Sequence, residues 1–146
     1  MSQDAGQNQA PASFRRGGPA YGRDTYERAV RSRDFNLLAT SMAEDVTLYI
    51  PAGPDPIVGR DKVLAFFGQL FPFLSQLQYS AQLDNERART LIFTASIREP
   101  RTGTIVTLEG CDFLQFNERD EIQTLSAMAR PIQALELLIQ LGIARQ

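Results

Sequence analysis

The sequence contains no histidine and a single cysteine among its 146 residues. The absence of histidine excludes Ser-His-Asp and Cys-His catalysis, and it disfavours zinc and non-haem iron sites, in which imidazole is a usual ligand. The one cysteine, Cys111, cannot form a disulfide within the chain, and we interpret it as a small packing residue. We therefore expect neither a metal site nor a bound cofactor.

Long apolar runs and a strong charge of either sign are also missing. No segment approaches the ~20 apolar residues that a membrane span needs, and the N-terminal residues lack the apolar stretch of a secretory signal. The formal net charge is -2, which gives no general basic surface for nucleic acid. We expect a soluble, cytoplasmic protein that binds neither membranes nor nucleic acid.

The composition predicts one domain behind a polar tail. Residues 1–20 are rich in glycine, proline and glutamine, and such a segment cannot offset its own ordering entropy, so we predict a disordered tail. The whole chain is 43% hydrophobic, and its length is sufficient for one core. We assign that core to a single domain at residues 21–146.

Apolar residues at helical spacing predict three helices in the first half of the chain. Asp24 has the position of an N-cap for the first helix, and Asp34 for a second helix that continues to Met42. A third, phenylalanine-rich helix begins near Arg60, and Pro72 kinks or ends it. A helix with so many phenylalanines either covers a broad sheet or forms the wall of a pocket.

The remaining segments predict strands and a terminal helix. A short strand, residues 46–50, precedes a loop rich in proline and glycine, and Pro131 suits the start of the last helix. The second half otherwise alternates as an antiparallel meander. Its four strands are predicted at residues 77–83, 89–97, 104–116 and 121–130. This order predicts an α+β fold, in which helices cover one face of a curved sheet and leave a cone that holds a ligand.

The strand at residues 104–116 carries an isolated carboxylate. Alternate side chains of a strand point to opposite faces, and one face of this strand is apolar except for Asp112 and an edge threonine. A carboxylate in such surroundings must find a partner, remain protonated or face a cavity. Two interpretations follow. Asp112 is either an acid with a raised pKa at the floor of an apolar pocket, or a structural aspartate paired with Arg130 or another basic residue.

Four segments in this order resemble the NTF2-like superfamily, and within it the SnoaL-like and ketosteroid-isomerase-like proteins. They are AEDVTLYIP, IVGRDKV before the aromatic-rich helix, GCDFLQF with the turn NERDEIQ, and AMARP before the terminal helix. The resemblance covers about residues 21–142. It implies an NTF2-like (cystatin-like) cone, a strongly curved antiparallel sheet wrapped around the N-terminal helices and followed by a C-terminal helix.

The resemblance also implies site residues. In ketosteroid isomerases a tyrosine on the first helix and a protonated aspartic acid on a long strand donate hydrogen bonds to the substrate oxyanion. Tyr26 and Asp112 occupy these positions in the present sequence. The base of that family is a carboxylate just before the proline that ends the first strand, and here the residue is Ile50. From the residues alone, Tyr26 is equally well a buried aromatic whose hydroxyl has a structural partner.

Several apolar residues are expected to surround Asp112 as pocket lining or as core. The predicted substrate-binding residues are Ile50, Phe66, Phe67, Phe93, Leu108 and Met128. Residues of the other strand face, such as Ile105 and Phe113, are expected to form a homodimer interface, as the resemblance implies. Tyr49 and Glu109 are also predicted to point away from the pocket.

Two functions are compatible with these features. The first is a cofactor-independent enzyme, an isomerase, cyclase or epoxide-hydrolase-like protein, acting on a small apolar carbonyl- or epoxide-containing substrate. Asp112 would be its general acid, and Tyr26 would support the developing charge on oxygen. The second is a non-catalytic module that holds a small apolar ligand or docks a protein partner as a dimer, which the missing base favours.

Overall fold

A computed structural model describes residues 22–51 and 53–143. The predicted tail at residues 1–20 lies outside this described part, and the assignment of residues 21–146 to one domain stays a prediction. In chain order the elements are α1 (Gly22–Ser32), α2 (Phe35–Thr40), β1 (Met42–Tyr49), β2 (Ile57–Val58), α3 (Arg60–Leu70), a 3₁₀ turn (Phe71–Phe73), β3 (Leu74–Asp84), β4 (Ala88–Arg98), β5 (Ile105–Phe116), β6 (Ile122–Arg130) and α4 (Ile132–Gln140). The α+β order predicted from the sequence is confirmed.

The six strands form one open sheet in the order β2-β1-β6-β5-β4-β3. Strands β3 to β6 pair antiparallel with their sequence neighbours, as the meander predicts. Strand β1 instead lies parallel to β6, with Leu48 opposite Leu125. A parallel neighbour requires a long crossover, which the chain between β1 and β6 supplies. The sheet is therefore mixed, and the expectation of a wholly antiparallel sheet is wrong at this one pairing.

Two element boundaries differ from the sequence prediction, namely the start of α1 and the start of β1. The Asp34 side chain accepts a hydrogen bond from the Leu37 backbone N–H at 3.0 Å, so its role as N-cap is confirmed. Met42, however, is the first residue of β1 and lies opposite Ile122, where its side chain is fully buried. Asp24 lies within the first turn of α1 rather than at its cap, because the helix already begins at Gly22.

The core lies between the N-terminal helices and one face of the sheet. Register shifts interrupt three strand pairings, and such bulges bend strands, so the sheet curves around the helices. The aromatic residues of α3 continue into the 3₁₀ turn, with ring centroids 5.7 Å apart for Phe66 and Phe67 and 5.5 Å apart for Phe67 and Phe71. The three phenylalanine rings thus contact one another in sequence, and all three belong to the core between the helices and the sheet.

A second apolar cluster forms where α4 crosses the other end of the sheet. Ala134 and Leu137 of α4 are buried there with Ile97 and Leu108. Ile132, the first residue of α4, is 65% exposed although it is apolar. The two clusters meet the same curved face of the sheet and leave an unfilled space between them. None of the helices in the described part is long and apolar enough to cross a membrane.

Candidate active site

An apolar cavity of about 100 Å³ lies between the two hydrophobic clusters. Helices α1, α3 and α4 and the inner face of the sheet line it. Among the described lining residues, the polar side chains are those of Tyr26, Tyr79 and Asp112. An engineered cavity of ~150 Å³ is known to bind benzene, so this space accepts a small apolar group. One of the lining residues, Pro51, is exposed.

Asp112 lies on the inner face of β5, and it takes part in none of the ion pairs among residues 22–51 and 53–143. Its neighbours on the adjacent strands are Leu91 and Ala127, and the carboxyl residue is only 8% exposed. Arg130 pairs with Glu109 on the outer face, at 2.7 Å between Nη2 and Oε1. Since these two residues are directly opposite in register, Arg130 points away from the cavity. The interpretation of Asp112 as the ion-pair partner of Arg130 is wrong.

The partner of Asp112 is Tyr26, 86 residues earlier in the chain. The Tyr26 hydroxyl donates a hydrogen bond to Oδ2 of Asp112 at 3.1 Å. Tyr26 is 2% exposed, and its ring packs edge-on against Phe67 with centroids 6.4 Å apart. Helix α1 places it there because Tyr26, Ala29 and Val30 form the buried side of the helix. The structure therefore brings together the two residues that the sequence singled out, while their catalytic roles stay predictions.

Burial determines the protonation of this pair. Burial raises the pKa of Asp112 from 3.8 to about 7, and the hydrogen bond from Tyr26 lowers it in part. Burial, and then the charge of Asp112, raises the pKa of Tyr26 well above its usual value. At neutral pH the tyrosine therefore keeps its proton, while the pKa of the carboxyl lies near the ambient pH. A group with this pKa is suited to both giving and taking a proton near pH 7.

Tyr79 is a third polar residue in the cavity, and the sequence analysis missed it. It lies on β3 between two register shifts, and its ring packs edge-on against Phe93 with centroids 6.2 Å apart. Burial, together with the charge of Asp112, raises the pKa of Tyr79. Alternation within the predicted strand 77–83 places Tyr79 on the same face as Leu77, which was the available signal. The bulges that aim it at the cavity could not be predicted.

Most of the predicted lining residues are where the sequence places them. Met128 is the exception, because it is 52% exposed on the outer face while its neighbours Ala127 and Ala129 line the cavity. The prediction that Met128 lines the pocket is wrong, because alternation along β6 places its side chain on the outer face. Residues missed by the sequence analysis include Leu125 and Leu138. The predicted residues found in the lining are Ile50, Phe66, Phe67, Phe93 and Leu108.

Among the described residues, the cavity is lined by a single carboxyl group, that of Asp112. Ile50 lines the cavity at the position where ketosteroid isomerases carry their catalytic base. Asp112 therefore has no second carboxylate beside it among the described lining residues. Among residues 22–51 and 53–143, no group of three or more histidine, cysteine, aspartate or glutamate residues could hold a metal ion. Acid–base chemistry at Asp112, supported by two phenols, is what these side chains can do.

The outer face of the sheet presents exposed apolar residues. Ile92, Cys111 and Met128 lie opposite one another on β4, β5 and β6. Ile92 and Met128 are exposed and Cys111 is half-buried, so the cysteine borders this surface rather than the core. Tyr49 and Ile105 are exposed as well. We call the three aligned residues Ile92, Cys111 and Met128 the outer row.

Comparison with known proteins identifies a family and a fold. Residues 23–124 match the family of SnoaL-like domains. Among solved structures, an uncharacterised bacterial protein with a cystatin-like fold from Silicibacter pomeroyi is 23% identical, with a TM-score of 0.73 and coverage of 85% of this chain and 84% of its own. A steroid delta-isomerase from Pseudomonas aeruginosa is 21% identical, with a TM-score of 0.72 and coverage of 83% and 86%.

A third similar structure carries the superfamily name. It is an NTF2-like protein of unknown function from Cytophaga hutchinsonii, 18% identical, with a TM-score of 0.62 and coverage of 75% of this chain and 96% of its own. No protein of curated function matches the sequence. These likenesses confirm the cystatin-like, NTF2-like architecture that the sequence motifs imply, and at such identities they speak to the fold alone.

Proposed function

Since the chain belongs to the family of SnoaL-like domains, we propose that it is a cofactor-independent enzyme of the isomerase or cyclase type. Its substrate is a small apolar molecule with a carbonyl or epoxide oxygen. The observation that carries this proposal is the hydrogen bond between Tyr26 and Asp112, 3.1 Å long and buried at an apolar cavity. A carboxyl with a pKa of about 7 is costly to maintain in a core and useful in catalysis.

Protonated Asp112 acts first as a general acid. Its proton goes to the carbonyl oxygen of the substrate as charge develops there, or to the epoxide oxygen as its C–O bond breaks. Tyr26 keeps its own hydrogen bond to Oδ2, which stabilises the carboxylate that remains. The surrounding apolar wall excludes water and strengthens both interactions.

Ionised Asp112 then supplies the base that position 50 lacks. With Ile50 in the wall, the carboxylate of Asp112 is the proton acceptor available among the described lining residues. With a carbonyl substrate it takes a proton from the carbon next to the carbonyl, which gives the enol. With an epoxide it takes a proton from the carbon next to the one that loses the oxygen, which gives an allylic alcohol. In both cases Asp112 gives one proton and gains one per cycle. This order of steps regenerates the starting acid without an external cofactor.

Exchange of hydrogen next to a carbonyl tests the chemistry without the natural substrate. Small ketones in D₂O are incubated with the protein, and loss of the α-proton signal is followed by NMR. We expect Asp112→Asn to lower the exchange rate by about 100-fold, the lower end of general acid–base contributions. Tyr26→Phe should lower it by about tenfold, as expected for the loss of one hydrogen bond.

The sheet offers matched controls for both substitutions. Glu109→Gln changes the same charge on the outer face of the same strand, and Tyr49→Phe removes an exposed hydroxyl. Both should leave exchange unchanged. If the wild-type protein binds ketones but does not exchange their protons above background, the protein is a non-catalytic binding module, which Ile50 at the base position favours as the second candidate.

We also propose that the outer row forms a homodimer interface. Its three residues align across the central strands with two of them exposed, and a second copy would cover them through the same surface by two-fold symmetry. Light scattering coupled to gel filtration tests this. Met128→Lys should yield monomers, whereas Ile132→Lys, at an exposed position on α4, should not. A wild-type monomer at micromolar concentration would refute the interface.

A further inference from the structure

Tyr79 is a polar side chain of the cavity that the proposed acid–base cycle does not use. The other polar side chains among the described lining residues are Tyr26 and Asp112. The Tyr26 hydroxyl already donates to Asp112, and the proton of Asp112 goes to the reacting oxygen of the substrate. Within the described lining, a second polar group on the same substrate would therefore have Tyr79 as its partner.

The Tyr79 hydroxyl makes no hydrogen bond to any residue in the ranges 22–51 and 53–143. The residue as a whole is half-buried, but burial is the largest cause of its raised pKa, and this cause acts at the ionisable oxygen. The hydroxyl is thus the buried end of the side chain. Buried tyrosine hydroxyls usually have a partner, and an unsatisfied one costs free energy. A ligand in the cavity can supply that partner.

Two contacts restrain the Tyr79 ring. It packs edge-on against Phe93, with centroids 6.2 Å apart, and the Arg31 guanidinium lies 5.5 Å from its centroid. Arg31 is itself held by an ion pair with Glu27 at 2.7 Å. The phenol is therefore fixed through its ring rather than through its hydroxyl. A donor that is already ordered loses little conformational freedom when a ligand binds.

Strand register places Tyr79 on the same inner face as Asp112. Tyr79 lies opposite Phe93 on β4, and Phe93 lies opposite Gly110 on β5. The Phe93 ring approaches β5 closely because position 110 lacks a side chain, and a Cβ atom there would be 3.0 Å from the ring. Asp112 is two residues further along this face. Tyr79 and Asp112 are thus two strand spacings apart, roughly 10 Å, and both line one cavity.

The charges around the cavity favour a neutral partner for Tyr79. No lysine or arginine is among the described lining residues, and the charge of Asp112 already raises the pKa of Tyr79. A carboxylate on the substrate would be desolvated here without a cation and repelled by ionised Asp112. A hydroxyl, ether or second carbonyl oxygen accepts a hydrogen bond from a phenol without that cost.

We propose that Tyr79 determines substrate specificity by donating a hydrogen bond to a second, neutral oxygen of the substrate, while the first oxygen reacts at Asp112 and Tyr26. The substrate is thus a compound with two oxygen functions, a hydroxyketone, a diketone or the corresponding epoxy alcohol. A site built to bind such an oxygen discriminates against the analogue that lacks it. This inference rests on the proposed function and names the class of its substrate.

Matched pairs of cyclohexanones test the proposal. One member of each pair carries a hydroxyl at carbon 3 or carbon 4, and the other carries a methyl group at the same carbon. The methyl compound keeps the ketone and the size but cannot accept a hydrogen bond. Isothermal titration calorimetry on the full chain should show about tenfold tighter binding of the hydroxyketone in at least one pair, as expected for one hydrogen bond. Tyr79→Phe should abolish this preference.

Two measurements separate ligand recognition from a structural role of Tyr79. Tyr49→Phe removes an exposed hydroxyl on β1 and should leave the preference as it is in the wild type. Thermal unfolding without ligand should be nearly the same for Tyr79→Phe and the wild type, because the substitution removes no hydrogen bond within the described residues. A structural hydroxyl would instead change the unfolding temperature and leave the ratio of the two dissociation constants unchanged.

The outcomes distinguish this inference from the function on which it rests. If the wild type binds both members of every pair equally, or if its preference survives Tyr79→Phe, the inference is overturned, while Asp112-dependent proton exchange in the same ketones leaves the proposed function intact. An equal loss of affinity for both members in Tyr79→Phe places the hydroxyl at the reacting oxygen and overturns the second-oxygen assignment. A Tyr79-dependent preference without proton exchange above background supports the contact and overturns the enzyme.

Discussion

The two faces of strand β5 place the same chemical group in opposite surroundings. On the inner face the Asp112 carboxyl is buried, has a tyrosine as its partner and has a pKa raised to about 7. On the outer face, three residues earlier, Glu109 is exposed and pairs with Arg130. The carboxyl group and the strand are shared, so the face alone decides whether the group is buried beside a phenol or exposed in an ion pair.

The largest expected effect is on stability at high pH. The folded-state pKa of Asp112 is raised, so the folded protein holds this proton more tightly than the unfolded chain does. The resulting stability is fully present below about pH 4 and is lost as the pH rises through about 7. Asp112→Asn cannot ionise, and it should be more stable than the wild type at about pH 8 by as much as about 4 kcal/mol.

Urea denaturation of both proteins at about pH 4 and about pH 8 measures this difference. The two should have similar stability at the lower pH. On the outer face, Glu109→Gln should change the free energy of unfolding by less than about 1 kcal/mol at either pH, because exposed ion pairs contribute little. If the free energy of unfolding changes with pH in the same way for the wild type and Asp112→Asn, the pKa of Asp112 is not raised by its position on the inner face.

A smaller effect is expected at Gly110, which precedes Asp112 on the same face. A Cβ atom here would lie 3.0 Å from the Phe93 ring and would overlap the Met128 carbonyl oxygen. Gly110→Ala should therefore cost roughly 1–3 kcal/mol, the range for overpacking, and should displace Phe93 from the cavity. Thermal unfolding measures the loss.

Gly68 is the matched control for that substitution. It lies within helix α3, and an added Cβ would meet no atom within 4 Å. Gly68→Ala should stabilise the protein by roughly 0.5–1 kcal/mol, because alanine loses less conformational freedom in a helix. An equal response of the two glycines would contradict the close approach of the strands at Gly110.

Removal of the Tyr26 hydroxyl should produce a change of about 1 kcal/mol, the contribution of one hydrogen bond. Because that bond lowers the pKa of Asp112, Tyr26→Phe should raise this pKa above 7. The ¹³C chemical shift of the Asp112 carboxyl, followed against pH, reports the change. Tyr49→Phe should leave the titration where it is, and a downward shift in Tyr26→Phe would exclude the hydrogen bond to the ionised carboxylate.

The smallest effect is expected from the outer face itself. Arg130 and Glu109 are both highly exposed in their ion pair, and such pairs contribute ~0–1 kcal/mol. Arg130→Gln should thus leave stability and proton exchange nearly unchanged, as measured by thermal unfolding and by the NMR exchange assay. A loss of exchange in this variant would mean that Arg130 reaches the cavity.

Much of the site was predictable because strand alternation is a local property. It placed Asp112, Leu108 and Ile50 on the cavity side and Tyr49 and Glu109 on the other. The same alternation places Met128, which lies between Ala127 and Ala129, on the outer face, although its hydrophobicity is typical of a lining residue. Tyr26 was predicted as a site residue only from the resemblance to ketosteroid isomerases. Helical spacing alone predicts no more than a buried aromatic residue at this position.

The remaining features depended on long-range packing. Tyr79 enters the cavity through bulges in β3 whose positions follow from pairing with β4. Met42 joined the sheet rather than helix α2 because Ile122 pairs with it across 80 residues of sequence. Arg33 reaches the carbonyl of Phe71 only because the end of α1 meets the 3₁₀ turn. None of these contacts leaves a periodic signal in the chain.

By itself, the sequence determined that one carboxylate would lie on an apolar strand face, in a chain without histidine. Only the tertiary structure decided which of its two candidate partners it meets. Arg130 is adjacent in the sheet but points outward with Glu109, while Tyr26 is distant in sequence but packs on the inner face through α1. The physical reason is that alternation fixes the side on which a group lies, whereas its partner depends on the element that covers that side.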